Sequence, residues 1–330
     1  MNVLITGGAG FIGSHLAQRC LAEGWNVDVL DNLSTGAMEN IIHLKGRSSF
    51  SYRVESILNQ PLVAEMVDSA DIIFHLAAAV GVQLVIEKPV ETIETNVDGT
   101  TVVLRCAAKK AKRVLLASTS EVYGKSTSLP FREDANLVLG SSAISRWGYA
   151  ASKALDEWLA MAYWHQCGLP LTVVRLFNTV GPRQTGRYGM VLPRFVCQAL
   201  RGEPLTVHET GDQQRCFSYV GDVVEALVRL AQSPAAIGEV VNIGNDQEVS
   251  MNELAAMVRE VSGSPSFIQH VPYDRVYGPE FEDMPRRVPC LEKLERLIHY
   301  RPTTTLESII RRVVDYEWVH MEKRTMHATV

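Results

Sequence analysis

Six cysteines are scattered along 330 residues, at 20, 106, 167, 197, 216 and 290, without a Cys-x-x-Cys pair or a close grouping with histidine. Such spacing offers neither a disulfide framework nor a zinc site, so no metal is expected and the thiols read as the reduced thiols of a cytoplasmic protein. No apolar run approaches the ~20 residues that a membrane-crossing helix needs. The first residues, 1–6, lead straight into a glycine-rich turn, with no basic segment or cleavage site. A basic excess is lacking too. Lys and Arg number 32 against 37 Asp and Glu, a net charge of -5, which gives no electrostatic reason to expect nucleic acid or an anionic membrane as partner. What remains is a chain 46% hydrophobic and 21% charged, long enough to bury an α/β core and a second lobe.

The first half alternates short β-branched runs with longer amphipathic stretches, the pattern of parallel βαβ units. Strands are expected at 2–6, 27–31, 71–76, 113–117 and 171–177, with another at 239–243, and helices at 11–23, 90–109, 146–167 and 222–231. After Phe177 the character changes: Pro182, Gly186, Gly189, Pro193, Gly202 and Pro204 punctuate short elements, and a second irregular stretch runs over 265–289. The expected architecture is a Rossmann-type, doubly wound parallel sheet formed by 1–178 plus about 218–245. A smaller, discontinuous substrate lobe takes about 179–217 and 246–330.

Thr6-Gly7-Gly8-Ala9-Gly10-Phe11-Ile12-Gly13 follows the first strand and opens the first helix. Glycines there let the backbone turn sharply and approach a pyrophosphate, while the helix N-terminus offers free N–H groups and partial positive charge. The alternative is a tight βα turn without a ligand, but Asp31 ends the second strand 18 residues beyond Gly13, where a carboxylate accepts ribose hydroxyls and repels a 2′-phosphate. The expected cofactor is therefore NAD rather than NADP.

Tyr149 and Lys153 stand four apart on a helical pattern and share a face. An ammonium beside a phenol, together with a cationic nicotinamide ring, is expected to lower the phenol's pKa and make it a base; a surface helix pair is the alternative. Thr119-Ser120-Glu121 follows the strand at 113–117, at the carboxyl edge where open α/β sheets bind ligands, although such residues also serve as caps and turns.

The glycine turn, Tyr-x-x-x-Lys and the strand-end Ser/Thr together resemble the extended short-chain dehydrogenase/reductase superfamily. Further segments carry the likeness over nearly the whole chain: His75-Leu76-Ala77-Ala78, Asn96-Val97-Asp98-Gly99-Thr100, Ser120-Glu121-Val122-Tyr123-Gly124, Gly181-Pro182-Arg183-Gln184 and Val241-Asn242-Ile243-Gly244-Asn245. The resemblance implies tightly held NAD, a nucleotide-sugar substrate (UDP-linked in the nearest likenesses) and a homodimer built on paired helices. It implies cofactor contacts from Gly7, Gly10, Phe11, Ile12, Gly13, Asp31, Asn32, Ser34, Thr35, Gly36, Leu76, Ala77, Ala78, Asn96 and Lys153. Tyr149 becomes the base on a sugar hydroxyl, assisted by Thr119, with Lys153 holding the nicotinamide ribose. Arg215, in Gln213-Gln214-Arg215-Cys216-Phe217, is implied at the substrate diphosphate, with Asn178 and Arg183 as further contacts; a surface ion pair is the alternative for Arg215.

Superfamily members share oxidation of a sugar hydroxyl and differ in the next step. Dehydratases of the superfamily carry Asp-Glu after the Thr, where this chain has Ser120-Glu121, which speaks against dehydration. Ser118-Thr119-Ser120-Glu121, Arg146-Trp147-Gly148-Tyr149 and Glu282-Asp283-Met284-Pro285-Arg286-Arg287-Val288-Pro289 resemble instead UDP-glucuronate decarboxylases, with Cys290 where those usually have Asp. The implied catalytic set is Thr119, Ser120, Glu121, Tyr149, Lys153 and Arg287, with Arg287 also holding the substrate carboxylate. A UDP-sugar 4-epimerase, needing only Thr119, Tyr149 and Lys153, stays open, as does a non-catalytic NAD-binding sensor or scaffold.

Overall fold

The computed structural model describes residues 1–186, 189–277 and 282–328, with backbone alone at 82, 277 and 323–328. In chain order the first elements are β1 (Asn2–Thr6), α1 (Phe11–Ala22), β2 (Asn26–Asp31), β3 (Phe50–Val54), α2 (Gln60–Ser69), β4 (Ile72–His75), α3 (Val82–Glu87), α4 (Pro89–Lys109), β5 (Arg113–Thr119), α5 (Arg146–Cys167) and β6 (Leu171–Leu176). There follow β7 (Thr179–Val180), α6 (Val191–Leu200), β8 (Leu205–His208), β9 (Gln214–Cys216), β10 (Ser218–Tyr219), α7 (Val220–Gln232), β11 (Val240–Ile243), β12 (Glu248–Ser250), α8 (Met251–Ser262), β13 (Ile268–Val271), α9 (Tyr273–Tyr277), α10 (Glu292–Ile298) and α11 (Leu306–Ala328).

Seven strands form one parallel sheet in the order β11-β6-β5-β4-β1-β2-β3. Its strands are buried on both faces, which is why they read as continuous apolar runs rather than alternating ones. Val3 and Ile5 face the layer containing α1 and α7, whereas Leu4 between them faces the layer of α2, α4 and α5. The strand order reverses between β1 and β4, and the crevice at the carboxyl ends there is where open α/β sheets take ligands. β3, half exposed at the edge, is the strand that the sequence pattern does not announce. Among the described residues no helix is long and apolar enough to cross a membrane.

β7, α6, β8, α8 and α11 enclose a separate apolar cluster centred on Leu192, Phe195, Leu254 and Ile309. β11, expected to return to the main sheet, pairs in register with β6, Val240 opposite Val173. Leu291, Leu294 and Ile298, on and before α10, join the cluster of the sheet face with α7, because α10 covers α7 and β11 rather than the lobe helices. Of the irregular stretch 265–289, residues 278–281 lie outside the described residues, as do 187–188 of the stretch after Phe177 and 329–330 at the chain's end.

Candidate active site

β1 runs into its turn with Gly7 at φ +73°, where a Cβ would meet the Ala77 backbone N at 2.8 Å. At Gly13 a Cβ would lie 2.2 Å from the Gly7 carbonyl oxygen, so helix, turn and β4 end can approach this closely only through glycine. α1 begins after Gly10 with no side-chain cap, leaving its first N–H groups available for an anion. Asp31 is held rigidly: Leu33 N donates to Oδ1 at 2.8 Å and Ala9 N to Oδ2 at 2.9 Å. Burial raises its carboxyl above the ordinary range, and these backbone donors only partly oppose this. A pyrophosphate-sized cradle bordered by a fixed carboxylate fits NAD.

From this turn a cavity of about 720 Å³ extends across the carboxyl ends of the strands to α6 and β8. Its wall includes Gly7, Gly10, Phe11, Ile12, Gly13, Asp31, Asn32, Ser34, Thr35, Leu76, Ala77, Ala78 and Lys153, and then Thr119, Ser120, Glu121, Tyr149, Asn178, Arg215 and Arg287. Three expected contacts lie off that wall. Gly36 sits where a Cβ would crowd Ala9 and Asp31. Asn96 stands behind the wall, accepting from Ala79 N at 2.8 Å and donating to Ser152 Oγ. Arg183 turns to α1 and donates to Ser14 Oγ at 3.3 Å and Gln18 Oε1 at 2.8 Å.

Thr119 ends β5, two residues beyond the expected strand end, and accepts from Glu121 N at 3.2 Å. It therefore caps the following 3₁₀ turn, and it also hydrogen-bonds Tyr149. Lys153 is 2% exposed and its Nζ donates to Asp156 Oδ2 at 2.7 Å; the Tyr149–Lys153 pair is an interior feature of α5, not a surface one. The expected lowering of the phenol by the lysine is not what the protein's own groups produce. Burial, followed by the charge of Glu121, pushes the Tyr149 phenol up, and the Thr119 hydrogen bond and Arg287 only partly oppose this. The Lys153 ammonium is neutralised locally by Asp156.

A charged cluster closes the cavity beside Tyr149. Arg287 Nη1 lies 2.6 Å from Glu121 Oε1, Arg146 Nη2 3.3 Å from Glu121 Oε2 and 3.1 Å from Asp283 Oδ1, and Arg215 Nη2 2.8 Å from Asp283 Oδ2. Tyr273 donates to Asp283 at 2.8 Å. Arg215 is thus buried with a partner rather than in a surface pair, while Arg286 turns outward to Glu248 at 2.8 Å. Burial raises Glu121, but Arg146 and Arg287 outweigh it and hold the carboxyl below its ordinary range. Asp283 is likewise pressed down to about 2 by Arg215, Arg146 and Arg287 against its burial. Three guanidinium groups against two carboxylates leave one excess positive charge, and Arg287 Nε has no hydrogen-bond partner among the described residues. The cluster can take an anion.

Arg146, Asp283 and Tyr273 are cavity-wall residues that sequence reasoning does not single out. Arg146 carries a readable signal, since it precedes Tyr149 by three positions and so shares its face. Tyr273 opens the five-residue α9 and Asp283 lies in irregular chain beyond it, both too short of regular structure for periodicity to fix a direction.

Fold and site together define a dinucleotide-binding enzyme of the short-chain dehydrogenase/reductase type, with a phenol, an ammonium and a hydroxyl at the reacting end. The chain belongs to the NAD dependent epimerase/dehydratase family, which matches residues 3–244, and NAD is its cofactor. It is 43% identical to a UDP-N-acetyl-alpha-D-glucosaminuronate decarboxylase of Bacillus cytotoxicus over 95% of this chain and 96% of that one. To UDP-glucuronic acid decarboxylase 1 of Danio rerio it is 36% identical, over 96% of this chain and 72% of the relative. Among solved structures it resembles UDP-glucuronic acid 4-epimerase from Bacillus cereus in complex with UDP-glucuronic acid and NAD. There the TM-score is 0.88 at 28% identity, covering 97% of this chain and 100% of that one.

Proposed function

We propose that this chain is an NAD-dependent decarboxylase of a UDP-linked hexuronic acid, with UDP-glucuronate as the first substrate to test and UDP-xylose or its 4-keto pentose as product. The observation that carries the reading is the buried Glu121–Arg287 pair at 2.6 Å on the cavity wall that also holds Tyr149. A 4-epimerase has no chemistry at C5.

NAD, when bound, supplies the acceptor for the hydrogen of a sugar C4–H and returns it later. Tyr149 takes the proton of the C4 hydroxyl, with Thr119 hydrogen-bonded to the same phenol. The resulting 4-ketone lies β to the C5 carboxylate, so the bond to carbon dioxide breaks with its electron pair entering the enolate, and electrostatic help suffices. Arg287 is assigned to the substrate carboxylate, since a buried unpaired charge costs several kcal/mol. Glu121, kept ionised by Arg146 and Arg287, orients Arg287, and Ser120 beside it is assigned to the proton that returns to C5. Arg215 and Asn178 are assigned to the diphosphate, where guanidinium geometry is apt.

The Bacillus cereus 4-epimerase neighbour supports a second reading, in which the 4-ketone turns over and is reduced from its other face. Incubation with UDP-glucuronate and, separately, with UDP-N-acetylglucosaminuronate, followed by product mass, tests both. Loss of carbon dioxide from either supports the decarboxylase; an isomer of unchanged mass as the only product transfers the assignment to the epimerase.

The reading includes a cytosolic homodimer. All six cysteines are free thiols, as the reducing cytosol keeps them. Val90 and Ile93 of α4 and Leu155 and Trp158 of α5 are exposed on two helices packed on each other, which suits an isologous interface.

A further inference from the structure

Asp156 has no exposed surface and does not line the cavity, so it touches no ligand and has no part in the oxidation or the decarboxylation itself. Yet its Oδ2 is the acceptor for Lys153 Nζ at 2.7 Å. Tyr149, Lys153 and Asp156 are spaced i, i+4 and i+7, one above the other on the inner face of α5. Behind Asp156 a buried polar row crosses to the sheet. The Thr100 hydroxyl of α4 hydrogen-bonds Asp156 and lies 3.1 Å from His75 Nε2. His75 Nδ1 lies 2.7 Å from Thr6 Oγ1 at the end of β1. A carboxylate in the interior is expensive unless paired, and this one is paired only with the lysine that serves the base.

The geometry points to Asp156 as a positioning residue of the candidate base: it fixes the Lys153 ammonium along α5 and sets a negative charge against the phenolate form of Tyr149. The inference rests on Tyr149 being the base. The charged and titratable groups facing the trio are few. His75 from β4 is kept neutral, its imidazole lowered to about 3 by burial and by Lys153. Glu157, next on α5, is engaged by Arg175 of β6 at 2.7 Å. Glu121 and Arg287 face Tyr149 from the cavity side with opposite signs. Burial, then Glu157, raises the Asp156 carboxyl, while Lys153 and Thr100 hold it down. The Asp156 charge adds to the groups that raise the phenol, and removing it leaves the ammonium 2.7 Å away without its counter-charge. The limb observed belongs to the coupled set rather than to one group.

The test is the pH dependence of turnover by NAD-loaded enzyme on UDP-glucuronate. In Asp156→Asn, whose amide oxygen still accepts from Lys153, the acid limb of the profile should move down by about one pH unit, roughly a tenfold faster rate on that limb. Thr100→Val, which removes the hydroxyl that stabilises the Asp156 carboxylate, should move it the same way by less, and Thr100→Ser should restore it. If Asp156→Asn turns over poorly, the tyrosinate difference absorbance between it and its Tyr149→Phe double variant should still titrate at lower pH than the same difference in the parent. A limb and a tyrosinate titration both unmoved, or moved upward, would overturn the inference. Activity in Tyr149→Phe would instead overturn the assignment of the base, so the two failures are told apart.

Discussion

Tyr149 is a residue whose partners are readable from spacing and whose energetics are not. The four-residue interval to Lys153 places both on one face, but the surrounding charges also come from Glu121 and Arg287, which the fold brings in from two other segments to join Asp156 of the same helix. Replacing Tyr149 by Phe deletes the proton acceptor while the glycine turn and Asp31 still hold the dinucleotide. Turnover should fall at least a thousandfold with NAD affinity nearly unchanged, as measured by product formation and by calorimetric NAD titration; near-parent activity would remove the mechanism. Of the adjacent arginines 286 and 287, the resemblance implies Arg287, and packing puts that one in the buried cluster and Arg286 on the surface. Arg287→Ala should cost most of the activity toward UDP-glucuronate and leave Glu121 with Arg146 alone. In Glu121→Ala, carbon dioxide release should slow more than the first oxidation, so that enzyme-bound NADH absorbance accumulates during a single turnover. Equal loss of both steps would count against the assignment of Glu121.

The elements that bury both faces were the legible ones. Six of the seven sheet strands and the helices α1, α4, α5 and α7 follow from apolar period, whereas α8 and the 23-residue α11 of the lobe do not, and α5 begins and ends where its pattern does. β3 escapes because an edge strand with half its side chains in water need not be apolar. The turn between β1 and α1 was legible for another reason, that glycine has steric consequences. Gly13→Ala should therefore act through backbone, pushing the Gly7 carbonyl from its place. Overpacking of this kind costs about 1–3 kcal/mol, and NAD affinity should fall with it; a variant that binds NAD like the parent would show that the turn yields. The large apolar side chains in the middle of α5 divide between two faces. Leu159 and Tyr163 pack inward beneath the sheet, while Trp158 is 62% exposed. Trp158→Glu should convert a species of twice 36.6 kDa into one of 36.6 kDa by light scattering. A parent protein already monomeric at micromolar concentration would refute the interface.

For the molecule as a whole, burial of imidazoles sets its response to acid. His75 is lowered to about 3 and His15 to about 4, mainly by desolvation. Because their folded pKa values lie below the unfolded value of ~6.5, the unfolded chain binds more protons as pH falls through that window, and stability drops. His75 alone should cost about 1.4 kcal/mol at pH 5.5. Asp283 adds to this only at lower pH, as its carboxyl, ionised down to about 2, is outcompeted by the unfolded chain below ~4. The urea midpoint should thus decline between pH 7.5 and 5.5, and a flat midpoint over that range would contradict the burial of these rings. The expected lobe is discontinuous in sequence, and this arrangement has a consequence during synthesis. β6 is finished at residue 176, but β11, which covers its free edge, ends at 243. At ribosomal speeds of about 5–20 residues per second, that edge waits several seconds while the first lobe segment emerges. Through that interval the nascent chain carries an open hydrogen-bonding ladder able to recruit a neighbour's strand. A chaperone that shields strand edges should raise its yield most when elongation across 177–243 is slowed.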